Sequence, residues 1–268
     1  MLEISNRNDE NLECAYAADR TDKSISIKSN TEPNIAKNDI AIGLNTAQGE
    51  PLITQKASDE DSSSDTDNDD ANLDTNKNAF DLIKEYRLKN TNKVILAHLN
   101  INSIRNKFSS LKELVSDNID VLVIEETKLD ETFPEKAFMI PGYKKPFRKD
   151  RNSYEGGILV FIREDIPSRE APIIEGFSDL EGIFVDINLR KSKWLLFATY
   201  KPPSLSKENY FSQVNKALDA YGSKFENIVM MGDINTTETD EKLVEFLEDC
   251  ELSNLFHFPT CFMSEANS

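Results

Sequence analysis

Apolar runs separated by polar stretches characterise the chain from residue 79 onward. Apolar side chains at helical spacing predict helices over residues 79–89 and 103–115, with Ser103 as the N-cap of the second helix. Compact apolar runs over residues 93–100 and 120–126 predict buried strands. A strand–helix–strand unit whose strands are continuously apolar predicts a layered α/β fold.

Farther along the chain, apolar runs follow one another across short turns. Direct connections of this kind favour antiparallel pairing of neighbouring strands. A polar loop over residues 141–155 precedes them, and Pro202-Pro203 ends the last of them. The predicted elements are strands over 156–167, 176–189 and 194–200, a helix over 207–221, a strand over 227–232 and a helix over 241–250.

Composition changes sharply near residue 79. Residues 1–78 contain a single aromatic residue, Tyr16, and 7 Lys+Arg against 17 Asp+Glu, whereas all 15 Phe and the only Trp lie after them. A segment so poor in aromatics buries too little apolar surface to offset chain entropy. We therefore expect residues 1–78 to be a disordered acidic tail and residues 79–268 to be one globular domain. The tail is either a solvated linker or a segment that recruits a basic partner.

The sequence also carries information about the compartment. The amino terminus, MLEISNRNDE, is polar and acidic, unlike a signal or transit peptide. No apolar stretch approaches the length that spans a bilayer, and three cysteines without a paired framework suit a reducing compartment. These features predict an intracellular protein of the nucleus or cytoplasm, neither secreted nor bound to a membrane. No heptad or internal repeat indicates an oligomeric state.

Polar groups able to bind a metal or a phosphate follow four of the apolar runs. These groups are Asn100 with Asn102, Glu126, Tyr200, and Asp233 with Asn235. In extended chain, residues i and i+2 face the same way, so Asp233 and Asn235 are expected to point into one site. Strand ends that converge on one edge form the ligand site of layered α/β folds. Each residue alone is explained as a strand end that meets solvent, but four together predict a site.

Four segments, in this order, resemble a known family: HLNINSIRNKF, DVLVIEETKLD, ATYKPP and MMGDIN. They are similar to motifs of the endonuclease/exonuclease/phosphatase superfamily. The residues of these motifs look most like those of the endonuclease domain of non-LTR retrotransposon polyproteins. Such polyproteins also carry an RNA-directed DNA polymerase (reverse transcriptase). The resemblance covers the chain from about Phe80 onward, and the ordered set is more specific than any single motif.

The resemblance implies a four-layer α/β sandwich that hydrolyses a phosphodiester with metal-activated water. Mg²⁺ (Mn²⁺ is possible) is the implied cofactor, with no small-molecule cofactor. Glu126 corresponds to the principal metal ligand and Asn100 to the residue that orients it. Asn102 occupies a position where relatives often have an acidic residue, so its amide is expected to be a weaker ligand. Mg²⁺ prefers hard oxygen ligands and keeps several waters, so few carboxylates suffice.

The same resemblance assigns the remaining roles. Asp233 is expected to align or deprotonate the attacking water, Asn235 to hold the scissile phosphate and Tyr200 to contact the phosphate through its hydroxyl. Duplex DNA is the implied partner. Lys128 is expected to lie near the phosphate, or else to be simply exposed.

Two motifs of the family are missing: an Ile-Asp-Leu-like strand and a Ser-Asp-His triplet that binds the phosphate. The two histidines present are His98, expected to be buried within a strand, and His257, to which we assign no catalytic role. The domain is therefore expected to be incomplete at its C-terminus and impaired in activity. Two alternatives stay open: a phosphatase of small molecules from the same superfamily, and a non-catalytic relic or binding module.

One dense positive cluster lies in the polar loop. Its cations are Lys144, Lys145, Arg148, Lys149 and Arg151. Residues 79–268 carry a net charge of −7, so a DNA-binding domain needs a local basic patch. We expect Arg148, Lys149 and Arg151 to contact DNA phosphates; the alternative is a solvated loop.

Overall fold

A computed structural model describes ten stretches of the chain: residues 2–6, 12–20, 24–29, 39–45, 79–171, 180–189, 191–222, 224–225, 227–237 and 239–255. Its helices are α1 (Ala79–Lys89), α2 (Phe108–Val115), α3 (Lys207–Gly222) and α4 (Glu241–Asp249), with a 3₁₀ turn at Glu135–Phe138. Its strands are β1 (Leu2–Asn6), β2 (Leu12–Arg20), β3 (Ser24–Ser29), β4 (Asp39–Asn45), β5 (Val94–Asn100), β6 (Val121–Glu125), β7 (Phe147–Lys149), β8 (Ile158–Ile162), β9 (Ser168–Glu170), β10 (Glu181–Leu189), β11 (Ser192–Tyr200), β12 (Asn227–Asp233) and β13 (Leu252–Asn254).

The described strands form two sheets. One has the order β13-β1-β12-β11-β10-β9, and the other has the order β3-β2-β4-β5-β6-β8-β7. Strands β5 and β6 are parallel, as are β11 and β12, so the carboxyl ends of each pair lie together. The predicted antiparallel pairing of the middle strands is confirmed for β10 with β11.

Three apolar clusters divide the domain into layers. One packs Ile83 of α1 and Leu111 of α2 against the outer face of β5, β6 and β8. The second lies between the two sheets and includes Val123 and Trp194. The third packs α3, with Val214, and α4, with Leu243, against the outer face of β11 and β12. Helix–sheet–sheet–helix is the four-layer α/β sandwich that the sequence predicted.

The start of α2 differs from the prediction. Ser103 is not its N-cap: the residue has a φ of +79°, and the helix begins after Lys107, which makes no side-chain cap. The N–H groups of Ser103 and Ile104 instead donate to the carbonyls of Glu126 and Thr127. These bonds extend the contact between the segments that follow β5 and β6, so the chain turns into the helix later than the apolar spacing suggests.

Four strands, β1 to β4, lie within the segment for which composition predicted disorder. Strand β1 pairs with β12 in antiparallel fashion, and β4 pairs with β5 in parallel. These stretches differ from the predicted disorder, while the rest of residues 1–78 lies outside the described residues. The division of the chain at residue 79 stays a prediction.

Other differences are local. Strand β7 is a three-residue edge strand within the loop predicted over residues 141–155, and β9 is a three-residue edge strand where no element was predicted. Both are too short to give a periodic signal. His257 lies outside the described residues, as do residues 176–179 of the predicted strand over 176–189. Among the helices that the structure describes, none combines the length and the apolar character needed to cross a membrane.

Candidate active site at the strand ends

Side chains from both sheets meet at one end of the middle layer. The inward-facing stripes of β5, β6 and β12 pack apolar side chains between the sheets and finish at Asn100, Glu125 and Asp233. Glu126 follows β6 directly, and Tyr200 ends β11. We call Asn100, Glu126, Tyr200 and Asp233 the rim.

The carboxamide of Asn100 connects the two carboxylates of the rim. Its Nδ2 donates to Glu126 Oε1 at 3.3 Å and to Asp233 Oδ2 at 3.2 Å. The two hydrogens of one amide group are enough for both bonds. Its Oδ1 accepts a bond from the backbone N–H of Asn102 at 3.2 Å. Asn100 therefore contacts both carboxylates, and the orienting role expected of it stays a prediction.

Tyr200 and Lys128 lie at the two oxygens of Glu126. The Tyr200 hydroxyl donates to Oε1 at 3.1 Å, and burial together with the charge of Glu126 raises the pKa of Tyr200, so the phenol stays protonated. Lys128 Nζ lies 3.9 Å from Oε2 and donates to Asn102 Oδ1 at 2.5 Å. About a quarter of the Glu126 side chain, 23%, remains exposed, so this carboxylate reaches solvent.

The backbone turns through the left-handed region where these strands end. The φ angle is +50° at Glu126, +52° at Lys128, +43° at Asn102 and +47° at Asn235. Asn adopts such angles more readily than Glu or Lys does. Strain of this kind persists only where the surroundings impose it, and it concentrates at functional sites. At Glu126 the carbonyl is held by the N–H of Ser103 at 2.7 Å.

The geometry of Asp233 and Asn235 differs from the extended chain assumed in the sequence argument. The chain bends after Asp233, whose Oδ1 accepts the backbone N–H of Asn235 at 3.0 Å. The Asn235 carboxamide donates to the carbonyl of Lys201 at 2.8 Å. The two residues are adjacent because of a side-chain turn, a conformation that Asp favours, and not because of strand alternation.

Directly beneath the rim lies a buried polar pair, Glu125 and His98. Both are fully buried, and His98 Nε2 lies 3.1 Å from Glu125 Oε2. Burial lowers the pKa of His98 to about 3, and burial followed by the charge of Asp233 raises the pKa of Glu125 well above its usual value. Both shifts favour the uncharged forms of the two groups, a neutral acid and a neutral imidazole, over an ion pair.

Among the cations of the basic loop, Arg148 is the most firmly bound within the protein. It forms two bonds of 2.7 Å with the carboxylate of Asp150 and donates to the carbonyls of Asp130 and Phe133. The hydrogen bond to Asp150 is the main reason that the pKa of Arg148 is raised. The structure therefore gives Arg148 a bridging position between loops, in contrast to the open contact with DNA that the sequence suggested.

Lys149 and Arg151 lie beside β10. Lys149 Nζ donates to the carbonyl of Leu180 at 2.8 Å, and burial lowers its pKa. Arg151 pairs with Glu155 at 3.2 Å and with Glu181 at 3.6 Å. Both cations line a cavity of about 480 Å³ whose other walls include Pro202 and Leu205.

Sequence reasoning missed three residues that shape the site. Glu125 was passed over because the motif drew attention to the next residue, although the paired carboxylates of DVLVIEE were a signal. Lys201 holds the segment after β12, because its N–H donates to the carbonyl of Asp233 at 2.9 Å. Glu181 accepts the N–H of Gly157 at 2.5 Å and so fixes the loop before β8, for which the sequence gave no sign.

The donor set of the rim suits a hard cation. Carboxylate oxygens of Glu126 and Asp233 and amide oxygens of Asn100 and Asn102 are the ligand types that Mg²⁺ takes, and one or two carboxylates are usual because the ion keeps several waters. Within the described residues, no group of three or more His, Cys, Asp or Glu side chains has the arrangement of a metal site. The residues fit a sparsely liganded Mg²⁺ better than a fully protein-bound metal.

Several solved nucleases are similar to this chain in structure. The endonuclease domain of TRAS1, a telomere-specific non-LTR retrotransposon, matches with a TM-score of 0.43 and 17% identity over 57% of this chain and 68% of that one. An AP endonuclease from Archaeoglobus fulgidus matches with 0.44 and 16% over the same shares. A 3'-5' exonuclease from Neisseria meningitidis matches with 0.39 and 20% over 52% of this chain and 56% of its own length. No family model and no curated protein matches the sequence.

Proposed function

We propose that this protein is a divalent-metal-dependent phosphodiesterase that cleaves DNA, of the kind found as the endonuclease domain of a non-LTR retrotransposon polyprotein. The observation that carries the proposal is the rim itself. Asn100 binds both Glu126 and Asp233, and Tyr200 binds Glu126, although the four come from four strands in two sheets. The retrotransposon origin rests on the order and wording of the four motifs.

Glu126 is the residue best placed to hold the metal. Its carboxylate is partly exposed, with Tyr200 at Oε1 and Lys128 at Oε2. Lys128 also donates to Asn102 Oδ1, so this amide oxygen lies close to the carboxylate. When bound, Mg²⁺ would polarise a phosphoryl oxygen and offset the negative charge that develops on it. Asn102 would add an amide oxygen, a weaker ligand than a carboxylate.

The other rim residues handle the water and the phosphate. Asp233 would orient the attacking water and accept its proton, with Asn100 holding the carboxylate at Oδ2. Tyr200, kept protonated by burial, would keep Glu126 in place and present its hydroxyl beside the phosphate. Asn235 would contact a phosphate oxygen through the part of its amide that does not bind Lys201.

Lys128 is well placed for the scissile phosphate, because its Nζ lies 3.9 Å from Glu126 Oε2. Lys149 and Arg151 would meet the flanking strand at the cavity beside β10, exchanging protein partners for phosphate oxygens. Arg148 would act through its bonds to Asp150 and the neighbouring loop, and so would affect DNA only by shaping that loop.

The test is nicking of supercoiled plasmid with Mg²⁺, with and without EDTA, by the full chain and three variants. Glu126→Gln and Asp233→Asn should each lower the rate by at least about 100-fold, the scale on which single preorganised polar groups contribute. Glu245→Gln changes an exposed carboxylate on α4 and should leave the rate unchanged.

Four results would contradict the proposal. Activity that survives EDTA, or that Glu126→Gln leaves intact, would remove the metal-dependent mechanism. No nicking by the wild-type chain, together with hydrolysis of small phosphomonoesters, would favour a phosphatase of the same superfamily. Binding of DNA without hydrolysis of either substrate would favour a non-catalytic module.

A further inference from the structure

A buried oxygen of Glu125 also connects the two halves of the rim, in addition to the bonds from Asn100 and Tyr200. Glu125 Oε2 accepts the backbone N–H of Asp233 at 2.7 Å. Glu125 belongs to β6 and Asp233 to β12, which lie in different sheets. The bond therefore crosses the middle layer, next to the points at which the two rim carboxylates leave their strands.

The space around this bond admits no side chain at the residue before Asp233. A Cβ added to Gly232 would lie 2.5 Å from Glu125 Oε1 and 1.7 Å from the carbonyl oxygen of Thr199. Glycine at this position allows the carboxyl of Glu125 to approach the backbone of β12. The close approach therefore depends on a residue of each strand, Glu125 of β6 and Gly232 of β12.

His98 closes the other side of the same oxygen. Its Nε2 lies 3.1 Å from Glu125 Oε2, and it stands two residues before Asn100 on the inward face of β5. Burying a polar side chain is unfavourable unless it is hydrogen-bonded, and the N–H of Asp233 supplies such a bond to Glu125. In place of Glu125, leucine or methionine would fill a similar volume, but neither could accept a hydrogen bond from the N–H of Asp233.

We propose that Glu125 is a positioning residue, whose buried carboxyl oxygen fixes the backbone of Asp233 relative to Glu126 across the two sheets. This inference rests on the proposed function, in which the carboxylates of Glu126 and Asp233 act together in catalysis. Glu125 itself would touch neither DNA nor metal. What the site requires of it is an acceptor oxygen at this point, and glutamine supplies one with almost the same shape.

The test compares Glu125→Met, Glu125→Gln and Val123→Ala in the full chain. Two quantities are measured: hydrogen exchange of the Asp233 amide without metal, and the kcat and KM for plasmid nicking with Mg²⁺. Glu125→Met should speed exchange at Asp233 and lower kcat by about 100-fold, the effect of an approximately 1 Å misplacement, with KM within threefold. Glu125→Gln should keep the amide protected and restore kcat. Val123→Ala, two residues earlier on the same stripe, should destabilise the core without either effect.

Three outcomes would overturn the inference: continued protection of the Asp233 amide in Glu125→Met, loss of protection in Glu125→Gln, or a kcat loss in Val123→Ala as large as in Glu125→Met. If Glu125→Met does not fold, Glu125→Gln decides, since retained protection and kcat support the inference and their loss refutes it. If the wild-type chain itself does not nick DNA, the proposed function fails, and amide exchange still decides the positioning role.

Discussion

At the scale of single residues, His98 and Glu125 make opposite contributions to the pH dependence of stability. The pKa of His98 falls from 6.5 to about 3, and that of Glu125 rises well above 4.5. Between about pH 3 and 6.5 the unfolded state holds a proton on His98 that the folded state lacks, so this residue makes stability rise with pH. From pH 4.5 up to the raised pKa of Glu125, the folded state holds a proton on the carboxyl that the unfolded state lacks, so this residue makes stability fall with rising pH. The two contributions oppose each other where these ranges overlap.

Replacing the histidine should expose the effect of Glu125 alone. In His98→Gln the folded state keeps the Glu125 proton above pH 4.5 and the unfolded state loses it. The free energy of unfolding should therefore fall with rising pH, at up to about 1.4 kcal/mol per pH unit relative to wild type between pH 4.5 and 6.5. Urea unfolding at half-unit steps in EDTA measures this difference.

Val123→Ala is the matched control, because it weakens the same layer without changing a titratable group. Its unfolding free energy should be lower than that of wild type by the same amount at every pH. Parallel wild-type and His98→Gln curves would mean that the pair is not held neutral in the folded protein.

At the scale of elements, Asp120 anchors α1 and β8 to the start of β6. Its carboxylate accepts bonds from Arg87 of α1 at 2.5 Å, from the backbone N–H of Ile95 at 2.6 Å and from Arg163 at 2.7 Å. Asp120 is 3% exposed, so these three bonds compensate a buried charge at the end of the sheet opposite the rim. A helix whose own propensity is modest depends on such tertiary contacts.

Removing this carboxylate should be strongly destabilising. Asp120→Ala removes the charged partner of Arg87 Nη2 and the acceptor of the Ile95 N–H. Removing one partner of a buried charge pair costs about 3–5 kcal/mol. Asp165→Ala removes an exposed partner of the same Arg163 and should cost no more than about 1 kcal/mol. Urea unfolding of both variants at pH 7 makes the comparison, and equal losses would show that Asp120 anchors nothing.

Most elements were predictable because their apolar runs are long and periodic. The strands β5, β6 and β12 have polar residues at or directly after the point where the apolar run stops. Parallel pairing places the ends of β5 and β6 together, and the packing of the two sheets brings the end of β12 beside them. The turns were not predictable from spacing. Left-handed angles at Glu126 and Lys128 follow from bonds to residues outside those strands, such as the one from Ser103 to the Glu126 carbonyl.

The internal partners of the basic loop were also hidden from the sequence. A run of cations looks the same whether it faces solvent or binds carbonyls, and only the tertiary structure shows that Arg148 bonds to Asp130 and Phe133. The role of Glu125 was hidden for the same reason, since its partner Asp233 lies 108 residues farther along the chain.

At the scale of the whole molecule, the negative net charge of the chain opposes binding of DNA, the proposed substrate. The chain carries a net charge of −17, so DNA affinity depends on a few local cations set against long-range repulsion. Phosphate contacts release counterions, and each lowers the slope of log affinity against log salt by about 0.9 on duplex DNA. Contacts from Lys128, Lys149 and Arg151 should therefore give a slope of about −2.7, modest for a DNA-binding protein.

Lys128→Gln should reduce that slope by about one unit and weaken binding to all duplex sequences alike, because a phosphate contact carries no sequence information. Lys242→Gln removes a cation of α4 that pairs with Glu245, and it should leave the slope unchanged because the site lies elsewhere. Fluorescence anisotropy with a labelled duplex in EDTA, from 25 to about 200 mM salt, measures both slopes while hydrolysis is blocked. Equal slopes in the two variants would remove Lys128 from the DNA contact, and salt-independent affinity of the wild-type chain would favour a small phosphorylated substrate.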